Sequence, residues 1–239
     1  MHIFNEYFDN VYLLNTDRRI DRFKLMHKRL TQAQIQYEKF TGITGNTVNP
    51  FWSFLKHNSN YWPSSNTVAC NISHLNIYRQ ALDRGEKRIL ILEDDLLIHK
   101  NSDAIFRERL QILPKWNLLY LCYIPLSSDQ SYWNFNLINH IDINNYFFQA
   151  KDIWSLMAYA LDDTLMSYML HSYSQNFPCE IDRYFVNYVQ TDSKFSCLGI
   201  SPNLFCGDNL GSDNDTSTNT VNFTQRTIDR RFSQPEDFI

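Results

Sequence analysis

Three consecutive acidic residues, Glu93-Asp94-Asp95, are the strongest chemical signal in this 239-residue sequence. They directly follow an apolar run at 89–92, which is typical of a buried strand. Neighbouring carboxylates repel one another and are poorly solvated at a strand end unless a cation neutralises them. Their oxygens suit Mg²⁺ or Mn²⁺ carrying a diphosphate. The alternative is an acidic exit from a strand with solvated charges.

Strand geometry makes a further prediction about these three carboxylates. Because successive side chains point to opposite faces of a strand, Glu93 and Asp95 are expected on one side and Asp94 on the other. In open α/β sheets, ligands bind beyond the carboxyl ends of the strands. The triplet is therefore predicted to lie where a ligand would enter.

A second candidate site follows the predicted first strand, at 10–15. The turn after it leads into a helix, whose first N–H groups and dipole favour anions. Arginines in this turn, Arg18 and Arg22 among them, can bind phosphate through paired hydrogen bonds. Thr16 or Asp17 is predicted to cap the helix. The alternative is a solvated helical turn with ion-paired arginines.

Two other pairs of residues could take part in chemistry. Ser73 and His74 lie early in a helix predicted at 67–82, although a single histidine is more often structural than a ligand. Glu180 and Asp182 lie near the start of a later predicted helix. One interpretation of this pair is a general base; the other is the favourable placement of acids at a helix start.

Strands alternating with helices predict a mostly parallel central sheet in an α/β fold. Residues 1–206 are predicted to form one domain, and 207–239 a polar tail that could close over the site. Residues 124–145 are expected to form a long loop or hairpin. The predicted strands lie at 10–15, 35–40, 88–92, 116–123, 155–161 and 194–200.

Composition excludes some classes of function. The net charge of −4 argues against a nucleic-acid binder, which needs a basic face. No apolar run is long enough for a membrane span, and the first residues do not resemble a signal peptide. Five cysteines without a CxxC pair indicate reduced thiols in a reducing compartment. We therefore expect a cytoplasmic protein, whose oligomeric state the sequence leaves open.

The order of these motifs resembles glycosyltransferase family 25, the lipooligosaccharide-type and collagen-type galactosyltransferases. The resemblance extends over roughly residues 10–215. It rests on Val11-Tyr12-Leu13-Leu14-Asn15-x-Asp17-Arg18-Arg19-x-Asp21-Arg22, Ala69-Cys70-Asn71-Ile72-Ser73-His74-Leu75, Ile89-Leu90-Ile91-Leu92-Glu93-Asp94-Asp95, Trp116-Asn117-Leu118-Leu119-Tyr120-Leu121, Ala158-Tyr159-Ala160-Leu161, Pro178 to Asp182, and Pro202 to Ser212-Asp213.

The resemblance implies a GT-A glycosyltransferase of glycan or lipopolysaccharide biosynthesis. Such enzymes hold a nucleotide sugar, here expected to be UDP-galactose or UDP-glucose, in a Rossmann-like half with Mn²⁺ or Mg²⁺ on its diphosphate. Asp95 is the first choice for a metal ligand, with Glu93 beside it. The implied donor-binding residues are Leu14, Asn15, Asp17, Arg18, Arg22, Ser73, His74, Glu93 and Asp94.

The resemblance also implies transfer to a glycan or another hydroxyl acceptor with inversion of the anomeric centre. That reaction needs a base, for which Asp182 is the first choice and Asp213 the second. Tyr132, Trp133 and Phe135 are expected either to stack on acceptor sugars or to pack as a hydrophobic loop.

Two other functions compete with this hypothesis. The first is a non-catalytic module on the same fold that binds glycan or nucleotide, although such a module has no need of the acidic triplet. The second is a metal-dependent phosphohydrolase that uses the same carboxylates. The sequence supplies neither the nucleophile nor the histidine cluster that a hydrolase would want.

Overall fold

The computed structural model describes residues 1–48, 64–125, 146–173, 179–208, 210 and 233–239, together with the backbone of 142–143. Within these residues, eight strands form one sheet in the order β2-β1-β3-β8-β5-β9-β7-β6, and β4 and β10 form a small second sheet. The strands are β1 (Asn10–Asn15), β2 (Glu38–Thr41), β3 (Arg88–Glu93), β4 (Leu96–Ile98), β5 (Leu118–Pro125), β6 (Asp142–Ile143), β7 (Phe147–Gln149), β8 (Ile153–Asp162), β9 (Cys197–Ile200) and β10 (Phe205–Gly207).

Most strands of the large sheet run in the same direction, which confirms the predicted α/β fold with a mostly parallel sheet. β1 pairs in parallel with β2 and β3, and β9 pairs in parallel with β5. β8 lies between β3 and β5 and is antiparallel to both. β8 is longer than the predicted strand at 155–161. Its antiparallel direction was not predicted, because a buried apolar run does not reveal which way a strand runs.

Helices cover both faces of the large sheet. Their bounds are α1 (Ile3–Tyr7), α2 (Ile20–Gln32), α3 (Ser65–Asp83), α4 (Ser102–Leu110), α5 (Asp163–Tyr168), continued by a π-helix at Met169–Tyr173, and α6 (Ile181–Tyr184), continued by a π-helix at Phe185–Val189. None of the helices that the structure describes is long and apolar enough to cross a bilayer.

The alternation along the strands sorts the core into two layers. Ile89 and Ile91 of β3 pack in one layer with α3, α5 and α6. Leu90 and Leu92 pack in the other layer with α1, α2 and α4. The side chains of residues 89–92 in β3 are all fully buried. The side chain of Glu93 is therefore expected to point towards α3, and that of Asp94 towards α2.

The end of the chain packs against the small sheet, where two features had not been predicted. β10 follows β9 and lies outside the strands predicted from the sequence. The backbones of Ile98 and Ile239 exchange hydrogen bonds of 3.0 and 2.9 Å, and the Phe238 ring covers Leu97 and Cys206. The final residues of the predicted polar tail are thus held against β4.

Gly199 in β9 lies against the ring of Phe148, its register partner in β7. A Cβ at this position would overlap that ring, and Tyr123 holds the ring from another side with a centroid distance of 4.9 Å. The close approach of the ring therefore requires glycine. Gly85 is different, because it adopts the left-handed φ of 76° just after α3 and has open space around it.

We expect Gly199→Ala to destabilise the fold by about 3 kcal/mol, because the Phe148 ring has no space to move. The matched variant Gly85→Ala should cost about 1 kcal/mol for its φ alone. Thermal unfolding measures both: the melting temperature should fall by roughly 6–12 °C for Gly199→Ala and by roughly 2–4 °C for Gly85→Ala. Equal shifts would contradict the packing argument.

Candidate active site

The three carboxylates at the end of β3 point in different directions. Glu93 Oε1 lies 3.3 Å from Nε2 of His74 on α3. Asp94 faces α2 on the other side of the sheet, where Arg22 Nη1 donates to its Oδ1 at 3.0 Å. Asp95 Oδ2 lies 3.5 Å from the same guanidinium nitrogen. The alternation of the strand thus continues into the turn and separates Asp94 from Glu93.

The parallel register of β1 and β3 joins the two sites that were predicted separately. Leu14 is the register partner of Glu93, so Asn15 lies beside Asp94. Asn15 Nδ2 donates to Asp94 Oδ2 at 2.6 Å and to the carbonyl of Arg19 at 3.1 Å. One buried amide therefore connects the acidic turn to the start of α2.

The start of α2 differs from the prediction. The residue before the helix is Arg19, and it makes no side-chain capping bond, so the prediction of a Thr16 or Asp17 cap was wrong. Asp17 is exposed and binds Lys39 Nζ at 2.8 Å instead. Thr16 accepts the N–H of Arg19 through its backbone carbonyl at 2.9 Å. The turn is held by Asn15 and by backbone bonds, which the capping rule does not consider.

A cleft, here called the donor cleft, opens between the ends of β1 and β3, the loop at 42–45 and the first turns of α3. Two residues that were expected on the donor side, Asp17 and His74, do not line this cleft. The predicted residues that line it are Leu14, Asn15, Arg18, Arg22, Ser73, Glu93, Asp94 and Asp95.

The loop at 42–45 forms one wall of the donor cleft and was not predicted to be functional. Ser73 Oγ accepts the N–H of Ile43 at 2.8 Å and donates to the carbonyl of Ala69 at 2.7 Å. Ser73 therefore holds this loop against α3. Gly42 and Gly45 were the available signal, since glycines let a backbone approach a ligand closely.

A second cleft, here called the acceptor cleft, adjoins the donor cleft and shares Cys70, Glu93 and Asp95 with it. Asp182 at the start of α6 lies in this cleft together with His74. Residues 132, 133, 135 and 213 lie outside the described residues. Glu180, which the sequence analysis paired with Asp182, also lines this cleft. The walls that sequence reasoning missed are Thr67, Asn71, Ile124, Trp154, Ser155, Leu156, Met157 and Ile181.

The backbone of Ser155 is strained where β8 passes the acceptor cleft. Its φ of 93° lies in a region that residues with side chains rarely adopt. The register of β5 and β8 shifts twice nearby, between Tyr120 and Cys122 and between Cys122 and Ile124. Strained backbone of this kind costs about 1–3 kcal/mol and is concentrated at functional sites.

A chain of buried hydrogen bonds fixes His74. Its Nδ1 lies 2.7 Å from the hydroxyl of Tyr159, which lies 2.6 Å from the hydroxyl of Tyr78. All three side chains are fully buried. If Tyr78 donates to Tyr159 and Tyr159 donates to Nδ1, then Nε2–H is directed at Glu93 and the Glu93–His74 contact is satisfied.

Burial disfavours the ionised forms of the carboxylates that face the clefts. Burial, followed by the charge of Glu93, raises the pKa of Asp95 to about 8, and Arg22 offsets this only in part. Burial likewise raises the pKa of Asp182 to about 6, with Glu180 and Glu93 adding to the shift. Burial also raises the pKa of Asp94, against the opposing effects of Asn15 and Arg22.

A divalent cation fits the end of β3. Asp95 Oδ1 is buried and, among the described residues, has no hydrogen-bond partner. Glu93 and Asp95 face the same two clefts, and their oxygens are the hard ligands that Mg²⁺ and Mn²⁺ prefer. These two residues would hold the ion, whose charge would offset the repulsion between them.

The raised pKa of Asp95 predicts how the stability of the cation-free protein depends on pH. The folded protein retains a proton that the unfolded chain loses above about pH 4. The stability that protonated Asp95 contributes to the fold is fully present below that pH and is lost as the pH rises towards 8.

We expect Asp95→Asn to flatten the fall in melting temperature between pH 5 and 8, measured in EDTA. Asp192→Asn, at an exposed pair with Lys194, is the control; identical curves for all three proteins would contradict the prediction.

The sequence matches a family model described as "Glycosyltransferase family 25 (LPS biosynthesis protein)" over residues 8–185. Procollagen galactosyltransferase 1 of Danio rerio is 24% identical over 253 residues, covering 90% of this chain and 39% of that protein. Inactive glycosyltransferase 25 family member 3 of Mus musculus is 28% identical over 134 residues, covering 48% of this chain and 22% of that protein. The chain thus spans well under half the length of these relatives.

Two solved structures are distantly similar. One is a glycosyltransferase involved in glycosylation of the major capsid of PBCV-1, with 11% identity, a TM-score of 0.38 and 75% of each chain covered. The other is 4-diphosphocytidyl-2C-methyl-D-erythritol synthase from Anaerococcus prevotii, with 11% identity, a TM-score of 0.40 and coverage of 90% of this chain and 96% of that one.

The family match includes the end of β1, the acidic turn after β3 and the start of α6. These are the elements that bring Asn15, Glu93, Asp95 and Asp182 to the two clefts. On this evidence the chain belongs to glycosyltransferase family 25.

Proposed function

We propose that this chain is a metal-dependent glycosyltransferase that moves a hexose from a UDP-sugar to a hydroxyl of a glycan by inverting displacement. The observation that carries the proposal is the meeting of two clefts at Glu93 and Asp95. A transferase has to hold a donor diphosphate and an acceptor hydroxyl on opposite sides of one reacting carbon. Two adjoining clefts with a shared carboxylate pair supply that arrangement.

The donor cleft supports the binding of a nucleotide diphosphate. Glu93 and Asp95 would hold Mn²⁺ or Mg²⁺, and the bound ion would offset the negative charge that develops on the leaving diphosphate. Asn15 Oδ1 is buried and has no hydrogen-bond partner among the described residues, so it can accept a hydrogen bond from the nucleotide sugar. Arg18 also lines this cleft and can add positive charge beside the phosphates.

Arg22 has a different part in this proposal. Its guanidinium is 5% exposed and is already engaged by Asp94 and by the carbonyl of Leu210 at 3.3 Å. We therefore assign it to holding Asp94 and the acidic turn in place, and leave phosphate binding to Arg18 and the loop at 42–45.

The acceptor cleft supports the binding of a sugar. Trp154, Leu156 and Met157 give it an apolar wall on which a sugar ring can pack. Trp154 Nε1 and Asn71 Nδ2 are buried donors without partners among the described residues, and a hydroxyl-rich ligand would satisfy them. Trp154 would then share the stacking function that was predicted for Tyr132, Trp133 and Phe135.

Asp182 is the proposed general base. It lies in the acceptor cleft together with Glu93 and Asp95. Its pKa of about 6 leaves it ionised at neutral pH and still basic enough to take a proton from an acceptor hydroxyl. Asp213 remains the second candidate for this role.

Relatives suggest the donor sugar and also a rival function. A procollagen galactosyltransferase among them makes galactose the first donor to test, and the family description mentions lipopolysaccharide biosynthesis. Another relative is named an inactive family member, which favours a non-catalytic binding module as the second candidate. The carboxylate pair shared by the two clefts supports the transferase over the module.

Release of UDP from a panel of UDP-sugars, assayed with Mn²⁺ and then with EDTA, tests the proposal. We expect Mn²⁺-dependent turnover, fastest with UDP-galactose or UDP-glucose, that Asp95→Asn abolishes and Asp192→Asn preserves. No turnover and no nucleotide binding would refute the transferase. Nucleotide binding that is unchanged in Asp95→Asn, with and without Mn²⁺, would instead favour the module.

Asp182→Asn should lower kcat by about 10²–10⁴-fold with little change in UDP affinity, because it removes the base and not the donor site. For the unaltered enzyme, kcat/KM for the acceptor should rise as the pH passes about 6, as Asp182 ionises. Glu180→Gln is the control, since Glu180 is the neighbouring carboxylate in the same cleft. Near-normal kcat in Asp182→Asn together with its loss in Asp213→Asn would move the role to Asp213.

A further inference from the structure

Cys70, His74 and Glu93 form a cluster that the proposed transfer reaction does not explain. Cys70 and His74 are one helical turn apart on α3, so their side chains share a face of that helix. One ligand atom from each of the three residues lies within 4.8 Å of the other two. A thiol, an imidazole and a carboxylate are the ligand types of zinc sites.

From this geometry we propose that Cys70, His74 and Glu93 bind a thiophilic divalent cation of the Zn²⁺ type. Zinc bonds of about 2.0–2.3 Å place tetrahedral ligand atoms roughly 3.3–3.8 Å apart. The Nε2–Oε1 distance of 3.3 Å already fits this range, and the remaining separations, at most 4.8 Å, would have to shorten when the ion binds. A thiolate ligand selects Zn²⁺ over the hard ions Mg²⁺ and Mn²⁺. This cation is therefore distinct from the one proposed for Glu93 and Asp95.

The surroundings of His74 suit a metal ligand. Histidines that bind metals usually donate their other ring N–H to a neighbouring acceptor, which fixes the ring. The hydroxyl of Tyr159, 2.7 Å from Nδ1, is placed to accept that bond. In that tautomer, with Tyr159 donating onward to Tyr78, the lone pair of Nε2 faces Glu93 Oε1 at 3.3 Å, and the bound cation takes the place of the Nε2–H bond of the metal-free protein.

The cluster opens onto both clefts through Cys70 and the Glu93 carboxylate, whereas His74 is fully buried. Cys70 is partly exposed and the Glu93 side chain is 27% exposed, and both residues line both clefts. Three protein ligands with an open side facing a cleft are typical of zinc sites that keep one position for water or a ligand. Asp95 and Asp182 line the acceptor cleft with the cluster, so added positive charge is favourable there.

Sharing of Glu93 has a consequence that rests on the proposed function. A zinc ion held by Cys70 and His74 would draw Glu93 away from the Mn²⁺–diphosphate site. Zn²⁺ would then weaken Mn²⁺-dependent UDP binding. Zinc binding itself does not depend on whether the protein transfers sugars.

Titration of the intact, reduced protein with Co²⁺ as a spectroscopic probe tests the site without nucleotide or sugar. We expect one Co²⁺ per chain, a thiolate-to-cobalt charge-transfer band, and displacement of Co²⁺ by Zn²⁺. Cys70→Ser should abolish the band, while Cys179→Ser should retain it, because Cys179 lies outside the cluster. Tyr159→Phe should weaken Zn²⁺ binding about 10–100-fold.

No charge-transfer band in the unaltered protein, or a band unchanged by Cys70→Ser, would overturn the zinc site. If Cys70→Ser does not fold, as judged by circular dichroism, Glu93→Gln gives the same decision. UDP binding with Mn²⁺ at increasing Zn²⁺ then tests the shared ligand: competition is expected, and additive binding of both metals would overturn it. Since the cobalt titration uses no nucleotide, its failure and the failure of the transferase proposal remain distinguishable.

Discussion

The buried contact of Asp94 with Arg22 and Asn15 is the interaction on which the arrangement of the site depends. It ties the turn after β3 to the start of α2 and fixes the middle carboxylate of the triplet against α2. Burial raises the pKa of Asp94 more than these partners lower it, so its surroundings on balance disfavour the ionised form. Its effect is positional: with Asp94 held, Glu93 and Asp95 are directed towards the cleft that contains Asp182.

The other charged groups of the site leave a position that a cation can fill. His74 is oriented by Tyr159 and in turn orients Glu93, whereas Asp95 keeps one buried oxygen without a partner among the described residues. A site of this kind is organised before its cation arrives, and the cost is repulsion between carboxylates in the empty state. That cost is why the same residues are expected to govern both metal binding and the pH dependence of stability.

Much of this arrangement could be predicted from the sequence, because some constraints are local. The apolar run before Glu93 predicted the buried strand, and alternation predicted that Asp94 would point away from Glu93, as it does. Asp95, predicted on the side of Glu93, lines the same two clefts as Glu93 but also lies 3.5 Å from the Arg22 nitrogen that binds Asp94. Asn15 and Arg18 of the motif after β1 lie in one cleft with the acidic triplet, as their places at neighbouring strand ends predicted, and their binding of a donor stays a prediction. The mostly parallel sheet followed from the alternation of strands and helices.

The parts that could not be predicted depend on contacts between distant residues. The direction of β8, and therefore the position of Trp154 in the acceptor cleft, is set by pairing with both β3 and β5. The capping prediction for α2 failed because Asn15 is bonded to the carbonyl of Arg19, a contact that depends on where Asp94 lies. Asp17 matched a motif but faces Lys39, since sequence spacing does not report which way an exposed side chain turns.

Electron paramagnetic resonance of Mn²⁺ tests most directly whether Asp95 holds a cation at the end of β3, because the signal counts the free ion. We expect one Mn²⁺ per chain, bound more tightly when UDP is added. Asp95→Asn should lose this binding, whereas Asp94→Asn should weaken it only in part, because its amide oxygen can still accept from Arg22 and keeps part of the contact that positions the turn. Loss of Mn²⁺ binding in Asp94→Asn with retention in Asp95→Asn, or no binding by the unaltered protein, would contradict the account.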